Sequence, residues 1–313
     1  MYRNNTLITF SDYDDVKDIG IYKRKRSREL IKVENINIMN PKSRLLARKI
    51  MNYLSDYKIY NYDINDGILN HLAIRNNEND EFMLEFYIHK YDESLLKKII
   101  DYDDNDIKSI YYQINKNKNN FRNNFCLLKG DKYLTYNVNN KKISIKAGSF
   151  FQTNNLVLQD MYIDIKKRLI KGNSFIDLYC GVGIMSILVN NNYNECIGIE
   201  INQNAIDVAN YNKSINNSEN CKFICSPVEN VIKKINLENS VLFINPPRRG
   251  LYENVVIELN NIKNSVKQML YLSCCKESLE RDLKLFDYKY KYVNEYNMFP
   301  ETNHKEYLVE LFV

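Results

Sequence analysis

Two adjacent thiols, Cys274 and Cys275, stand in the run YLSCCKESLERDL, where a β-rich apolar stretch passes into a helical one. A thiol at the start of a helix faces the positive end of the helix dipole, so its pKa is expected to fall and its thiolate to be available as a nucleophile. Free cysteines also serve commonly as packing residues, and either thiol taken alone fits that plainer role. Upstream, INPPRRGL sets Asn245 before two prolines that stiffen the backbone and remove donors, so its side chain is presented in a fixed direction. Arg248 and Arg249 follow, and guanidinium groups suit phosphates or base edges, which points to a polyanionic partner. Near the end of the chain, MFPETNHKEYLVELFV offers Glu306 and His304 as competing proton acceptors.

A second group of residues reads as a cofactor site. In SFIDLYCGVGIMSILV, Asp177 ends a buried strand and a turn follows with Tyr179, Gly181 and Gly183, whose glycines let backbone approach a ligand closely. Ser186 occupies the place of the third glycine of a dinucleotide fingerprint, so the turn alone is a weak signal. Glu200, closing the next strand (CIGIE), can accept both hydroxyl hydrogens of a ribose; an ordinary solvated acid at a strand end is the alternative. Turn and acid together favour an adenosine-type cofactor at the carboxyl ends of the strands. Cys221 and Cys225 approach metal-ligand spacing but sit in a strand-like run with no partner pair, so no metal is expected.

The elements that position these residues change rhythm along the 313-residue chain. Residues 1–146 read as a smaller, irregular α+β domain, with strand-like runs at Glu81–His89 and Lys132–Val138 and a helix over Ser43–Tyr53. Residues 147–313 read as an α/β domain, with short apolar runs at Ser174–Leu178, Cys196–Glu200, Lys222–Cys225, Val241–Ile244 and Gln268–Ser273, each separated by a helix-length segment. Two final runs, Lys289–Tyr296 and Lys305–Val313, have no helix between them and imply an antiparallel hairpin at the sheet edge. Five parallel strands plus that hairpin is the layout of the class I, Rossmann-like methyltransferase sheet.

Composition sets outer bounds. With 44% apolar residues the chain can bury a core, and no run reaches the roughly 18 to 20 apolar residues of a membrane span. No membrane partner and a cytoplasmic, monomeric protein are the expectation. The 44 basic and 39 acidic residues leave a net charge of +5, which permits RNA without requiring it. The basic run KRKRSR, Lys23–Arg28, is either a phosphate contact or a solvated turn.

Taken in order, AGSFFQTN, DLYCGVG, GIE, NPPRRG, YLSC followed by a helix bearing Arg281 and Asp282, and FPETNHKE resemble the RNA uracil-C5 methyltransferases. The nearest likeness is to the branch acting on a hairpin-loop uridine of large-subunit ribosomal RNA, through Asn245 before the prolines and SFFQTN. YRNN, IGIYKRKR, HLAIR and MLEFYIHK extend the resemblance through the first half. It implies an S-adenosylmethionine-dependent enzyme, with Gln152, Tyr179, Glu200 and Asn245 at the cofactor beside the Gly181 turn, Cys274 as covalent nucleophile and Glu306 as base. Ribosomal RNA is favoured over transfer RNA. The sequence departs from the family after the nucleophile, where Cys275 and Lys276 replace Asn and often Pro. Many relatives hold an iron-sulfur cluster on four N-terminal cysteines, and some carry an RNA-binding β-barrel; here the first cysteine is Cys126, so no cluster and no barrel are expected. Two other readings stay open: an amino-methyltransferase holding an exocyclic amine with Asn245, and a degenerate RNA binder without turnover.

Overall fold

The computed structural model describes residues 3–13, 16–23, 29–61, 63–115, 124–300, 302 and 304–312, and every apolar run noted after residue 147 is a strand in it. Most of the KRKRSR run, from residue 24 on, and Tyr2, Glu301 and Asn303 of the family motifs lie outside the described residues. The chain divides into two units, Met1–Tyr136 with Ile145–Asn155, and Asn137–Ser144 with Leu156–Val313.

The first unit is more regular than its sequence. It contains β1 (Asn5–Tyr13), β2 (Val16–Tyr22), β3 (Leu30–Lys32), α1 (Pro41–Tyr53), β4 (Leu69–Asn76), β5 (Phe82–Ile88), α2 (Glu93–Asp101), β6 (Ile107–Ile114) and β7 (Cys126–Gly130). These build one seven-stranded sheet in the order β3-β2-β1-β4-β5-β6-β7, antiparallel except for β5 and β6, which α2 joins in parallel. Helix α1 begins before the expected Ser43 because the Asn40 side chain caps it, accepting from the Lys42 and Ser43 amides, with Pro41 in the first turn. Leu72, Ile74, Leu84 and Phe86 pack with Leu46 and Ile50 of α1 and Leu95 and Ile99 of α2. The runs Glu81–His89 and Lys132–Val138 each hold a strand, but the irregular reading fails over the rest, where β1, β2, β3, β4, β6, β7 and α2 have no counterpart; β5 itself is buried at all seven positions. Its second face buries the ion pair Arg75 Nε to Glu85 Oε1 at 2.6 Å, and Glu85 also accepts the Gly148 amide.

A hairpin, β8 (Leu134–Val138) and β9 (Lys141–Ile145), straddles the division. Its two-residue tip, Asn139-Asn140, holds both residues at positive φ, a conformation asparagine tolerates and hairpin twist demands. The border is therefore not a single cut after residue 146. Buried Asn212 accepts from the Ser144 amide at 2.7 Å and donates to its carbonyl at 3.0 Å, which ties the hairpin tip into the second unit. Residues 145–155 return to the first, where the Asn4 amide donates to the Thr153 carbonyl.

The second unit continues with α3 (Asn155–Arg168), β10 (Ser174–Leu178), α4 (Ile184–Val189), β11 (Glu195–Glu200), α5 (Gln203–Ile215), β12 (Cys221–Cys225), α6 (Val228–Val231), β13 (Ser240–Ile244), α7 (Glu253–Asn261), β14 (Val266–Ser273), α8 (Lys276–Leu283), β15 (Lys289–Tyr296) and β16 (Glu306–Phe312). Its sheet runs β12-β11-β10-β13-β14-β16-β15. The first five strands are parallel and the last two antiparallel, as the helix-free connection requires. Strand order reverses between β10 and β13, and ligands of open α/β sheets bind at the carboxyl ends of such a switch point.

Candidate active site

Register fixes what meets at that switch point. Leu178 of β10 is level with Ile199 of β11 and with Ile244 of β13. The next residue of each strand, Tyr179, Glu200 and Asn245, therefore falls in one row across three strand ends spaced about 4.8 Å apart. The Asn245 amide keeps the row closed by donating to the Leu178 carbonyl at 3.2 Å. Tyr179 has φ +65°, and with Gly181 at +53° and Gly183 at +80° it turns the chain sharply out of the strand into α4. A Cβ on Gly183 would lie 2.6 Å from the Phe223 ring, whereas a Cβ on Gly181 would meet nothing within 4 Å. The turn is thus packed on one side and open on the other.

Glu200 braces this turn. One carboxylate oxygen accepts the Asn202 amide at 2.9 Å and the other the Gly181 amide at 3.3 Å. Each oxygen retains a second lone pair, so the acid can hold the turn and still accept from vicinal hydroxyls. Beneath it, buried Asp177 accepts the Ser186 amide at 3.2 Å and the Ser186 hydroxyl at 2.9 Å. Burial pushes its carboxyl up to about 7 against those two hydrogen bonds. Ser186, conspicuous as a missing glycine, serves here as the partner of a buried acid.

At the reactive end, β14 and β16 pair antiparallel from Met269 opposite Leu311 to Ser273 opposite Tyr307. One more step of the same register sets Cys274 opposite Glu306. Opposed residues of an antiparallel pair share a face, with Cβ atoms about 4.5 to 5.5 Å apart. Burial raises the Cys274 thiol above its ordinary pKa, the Glu306 carboxylate raises it further, and the Arg248 guanidinium lowers it. This corrects the expected fall: α8 starts only at Lys276, with Cys275 as its N-cap, so the desolvated sulfur of Cys274 lies before the helix and burial outweighs the dipole.

The neighbouring candidates differ. The Cys275 thiol donates to the Glu277 carboxylate at 3.2 Å. His304 is exposed, with its ring edge-on to Phe299, while Glu306 is 2% exposed at the first position of β16. Arg248 and Arg249 are both exposed, and the Arg249 guanidinium lies 4.0 Å from the centre of the Tyr252 ring. Gln152 is buried within the first unit, where its carbonyl accepts from the Asn4 side chain. Cys221 is buried and paired in register with Cys196, while Cys225 is exposed. Among the described residues no group of three or more His, Cys, Asp and Glu side chains could hold a metal ion.

What the sequence did not single out is the set of contacts from α8. Ser278, Arg281 and Asp282 bond to the backbone of residues 248–251. Arg281 and Asp282 were visible as part of a motif, but nothing in their types told which segment they would hold.

A parallel sheet with a glycine turn after its central strand, an acid ending the next, and an antiparallel pair at one edge defines the S-adenosylmethionine-dependent, Rossmann-like methyltransferase class. The chain belongs to the tRNA (uracil-5-)-methyltransferase family, which it matches over residues 10–312, and it is an S-adenosylmethionine-dependent RNA methyltransferase. An uncharacterized RNA methyltransferase of Fusobacterium nucleatum is 31% identical over 97% of this chain and 68% of its own length. Another from Clostridium acetobutylicum is 28% identical over 99% of this chain and 71% of its own. The solved structure of Pyrococcus abyssi tRNA (uracil-54, C5)-methyltransferase, in complex with S-adenosyl-L-homocysteine, superposes with a TM-score of 0.82 at 24% identity. It covers 99% of this chain and 74% of that one, a likeness of fold.

Proposed function

We propose that the protein methylates C5 of a loop uridine in RNA through a covalent adduct of Cys274. The observation that carries this reading is the register that sets Cys274 and Glu306 face to face. C5 of uracil is too weak a nucleophile to attack a sulfonium methyl group unaided. The Cys274 thiol gives up its proton to solvent and the thiolate adds to C6, forming the S–C bond and moving the C5–C6 electron pair into an enolate. C5 then takes the methyl that S-adenosylmethionine supplies. The Glu306 carboxylate removes the C5 proton, the C–H pair re-forms the double bond, and the thiolate leaves C6. The target base must be out of the stack, because neither face of C5 and C6 is reachable inside a helix.

Tyr179, Gly181, Glu200 and Asn245 hold the cofactor in this reading, with Glu200 on its ribose. Arg248 and Arg249 face the RNA. The residues that distinguish the ribosomal branch, Asn245 before the prolines and SFFQTN, favour ribosomal RNA; the family's name favours transfer RNA as the second reading. The decisive experiment incubates the protein with S-adenosylmethionine and either RNA bearing 5-fluorouridine. Fluorine cannot leave as a proton, so a denaturing gel should show a trapped adduct that disappears in Cys274→Ala. Methyl transfer to RNA without any adduct would sink the covalent mechanism and revive amine methylation at Asn245. RNA binding without transfer would mark a degenerate enzyme.

A further inference from the structure

Helix α8 follows Cys274 directly, and its polar side chains converge on one stretch of backbone. The Ser278 hydroxyl donates to the Arg248 carbonyl at 2.9 Å. Arg281 donates to the carbonyls of Arg249 at 2.8 Å and Leu251 at 3.2 Å, and pairs with Asp282 at 2.6 Å. Asp282, with 0% exposure, accepts the Leu251 amide at 2.8 Å and the Tyr271 hydroxyl at 2.7 Å. Tyr271 belongs to β14, the strand that ends at Cys274's doorstep. Gly250 completes the fit: its φ is +76°, and a Cβ there would stand 2.4 Å from the Asp282 carboxylate.

Every one of these bonds to residues 248–251 ends on backbone. None uses the Arg248 or Arg249 guanidinium, so the two cations are fixed at their roots and exposed at their tips. The groups that act electrostatically on the Cys274 sulfur are Glu306 from β16, the adjacent Cys275 and, with opposite sign, Arg248. The Ser278 hydroxyl that meets the Arg248 carbonyl also lies 3.1 Å from the Cys275 carbonyl, so the root of Arg248 is held next to the segment that carries the thiol.

We infer that Ser278, Arg281 and Asp282 are positioning residues that lock the Arg248–Leu251 backbone to the nucleophile's helix and so hold the Arg248 guanidinium beside the Cys274 sulfur. The inference rests on Cys274 being the nucleophile. It treats the cofactor-side loop and the thiol as one rigid piece joined through α8, rather than two sites that happen to share a sheet edge.

The test measures iodoacetamide alkylation of Cys274 against pH in the full-length protein, in a Cys275→Ser background so that the modified peptide is unambiguous. Exposed Cys225 in the same protein is the control thiol. Arg281→Ala removes a side chain that is 53% exposed, so the fold should survive, which the melting curve checks. Its alkylation midpoint should move to higher pH, slowing the reaction about 3- to 10-fold at pH 8, with Cys225 unchanged. Ser278→Ala, which alters no charge, should move it the same way by less. Arg248→Ala should match Arg281→Ala, and the double variant should add little, because both act through one group. Superimposed profiles for Arg281→Ala and wild type would overturn the inference. So would a fully additive double variant, which would mean that Arg281 acts by its own charge. Shifted profiles in a protein that transfers no methyl to RNA would uphold the positioning while removing the functional reading.

Discussion

The two seven-stranded sheets of this chain use buried polar groups in opposite ways. In the first, antiparallel neighbours put strand starts and ends at the same edge, and its buried ion pair, Arg75 of β4 with Glu85 of β5, braces adjacent strands. In the second, five parallel strands deliver their carboxyl ends to one edge, and antiparallel β16 arrives there with its first residue. Glu200, Tyr179, Asn245, Cys274 and Glu306 therefore share an edge, although more than a hundred positions of sequence separate the outermost. Charge inside a sheet is support; charge at the collected ends is available for chemistry.

The sharpest way to break that contrast is at the nucleophile. Cys274→Ala should reduce methyl transfer by at least about 10³-fold, with no trapped adduct, whereas Cys275→Ser should stay within a few-fold of wild type. The reverse result would move the nucleophile to Cys275, the N-cap of α8. Next in size, Glu306→Gln should slow turnover about 10² to 10⁴-fold while still forming the bond to C6, so a methylated adduct accumulates even on ordinary uridine RNA. Rapid turnover in that variant would leave His304 as the base.

On the other side of the comparison, Arg75→Ala strands a buried carboxylate and should cost about 3 to 5 kcal/mol in urea unfolding. A loss below about 1 kcal/mol would deny the pair its bracing role. Gly183→Ala forces a side chain into a left-handed turn against Phe223 and should cost about 1 to 3 kcal/mol, with weaker S-adenosylmethionine binding by calorimetry. Smallest per step is the pH dependence set by Asp177. Its folded pKa is raised to about 7, so between the ordinary carboxylate range and neutrality the folded state holds a proton that the unfolded chain has released. Stability should fall as pH rises through that window, by at most about 1.4 kcal/mol per unit, and Asp177→Asn should flatten the slope. An unchanged slope in the variant would assign it elsewhere.

How much of this could be read beforehand follows the same division. The parallel strands of the second unit were legible because burial on both faces leaves short, continuous apolar runs, and the turn after Asp177 announced itself by its glycines. Of the first sheet only β5 was legible, as the run Glu81–His89; strands such as β1, β4 and β6 carry polar residues among their apolar ones and left no continuous run. At the site, residue types indicated a thiol, an acid and an adenosine turn. They could not say which of Cys274 and Cys275 stands opposite Glu306, since that depends on pairing with a strand some thirty residues away. The sign of the thiol's pKa was misjudged for a related reason: the helix dipole is visible in sequence, but burial of the sulfur is not.

Parity is the last consequence of the β14 and β16 register. Because side chains alternate strictly along a strand, the nine residues between Tyr296 and Glu306 can vary in length without moving the acid, provided β16 keeps its start. A single residue inserted after Glu306 would slide the acid one step along β14 and rotate it to the other side of the sheet, away from the sulfur. Chain length in the loop is thus negotiable, whereas odd and even in the strand decide whether the acid and the sulfur meet.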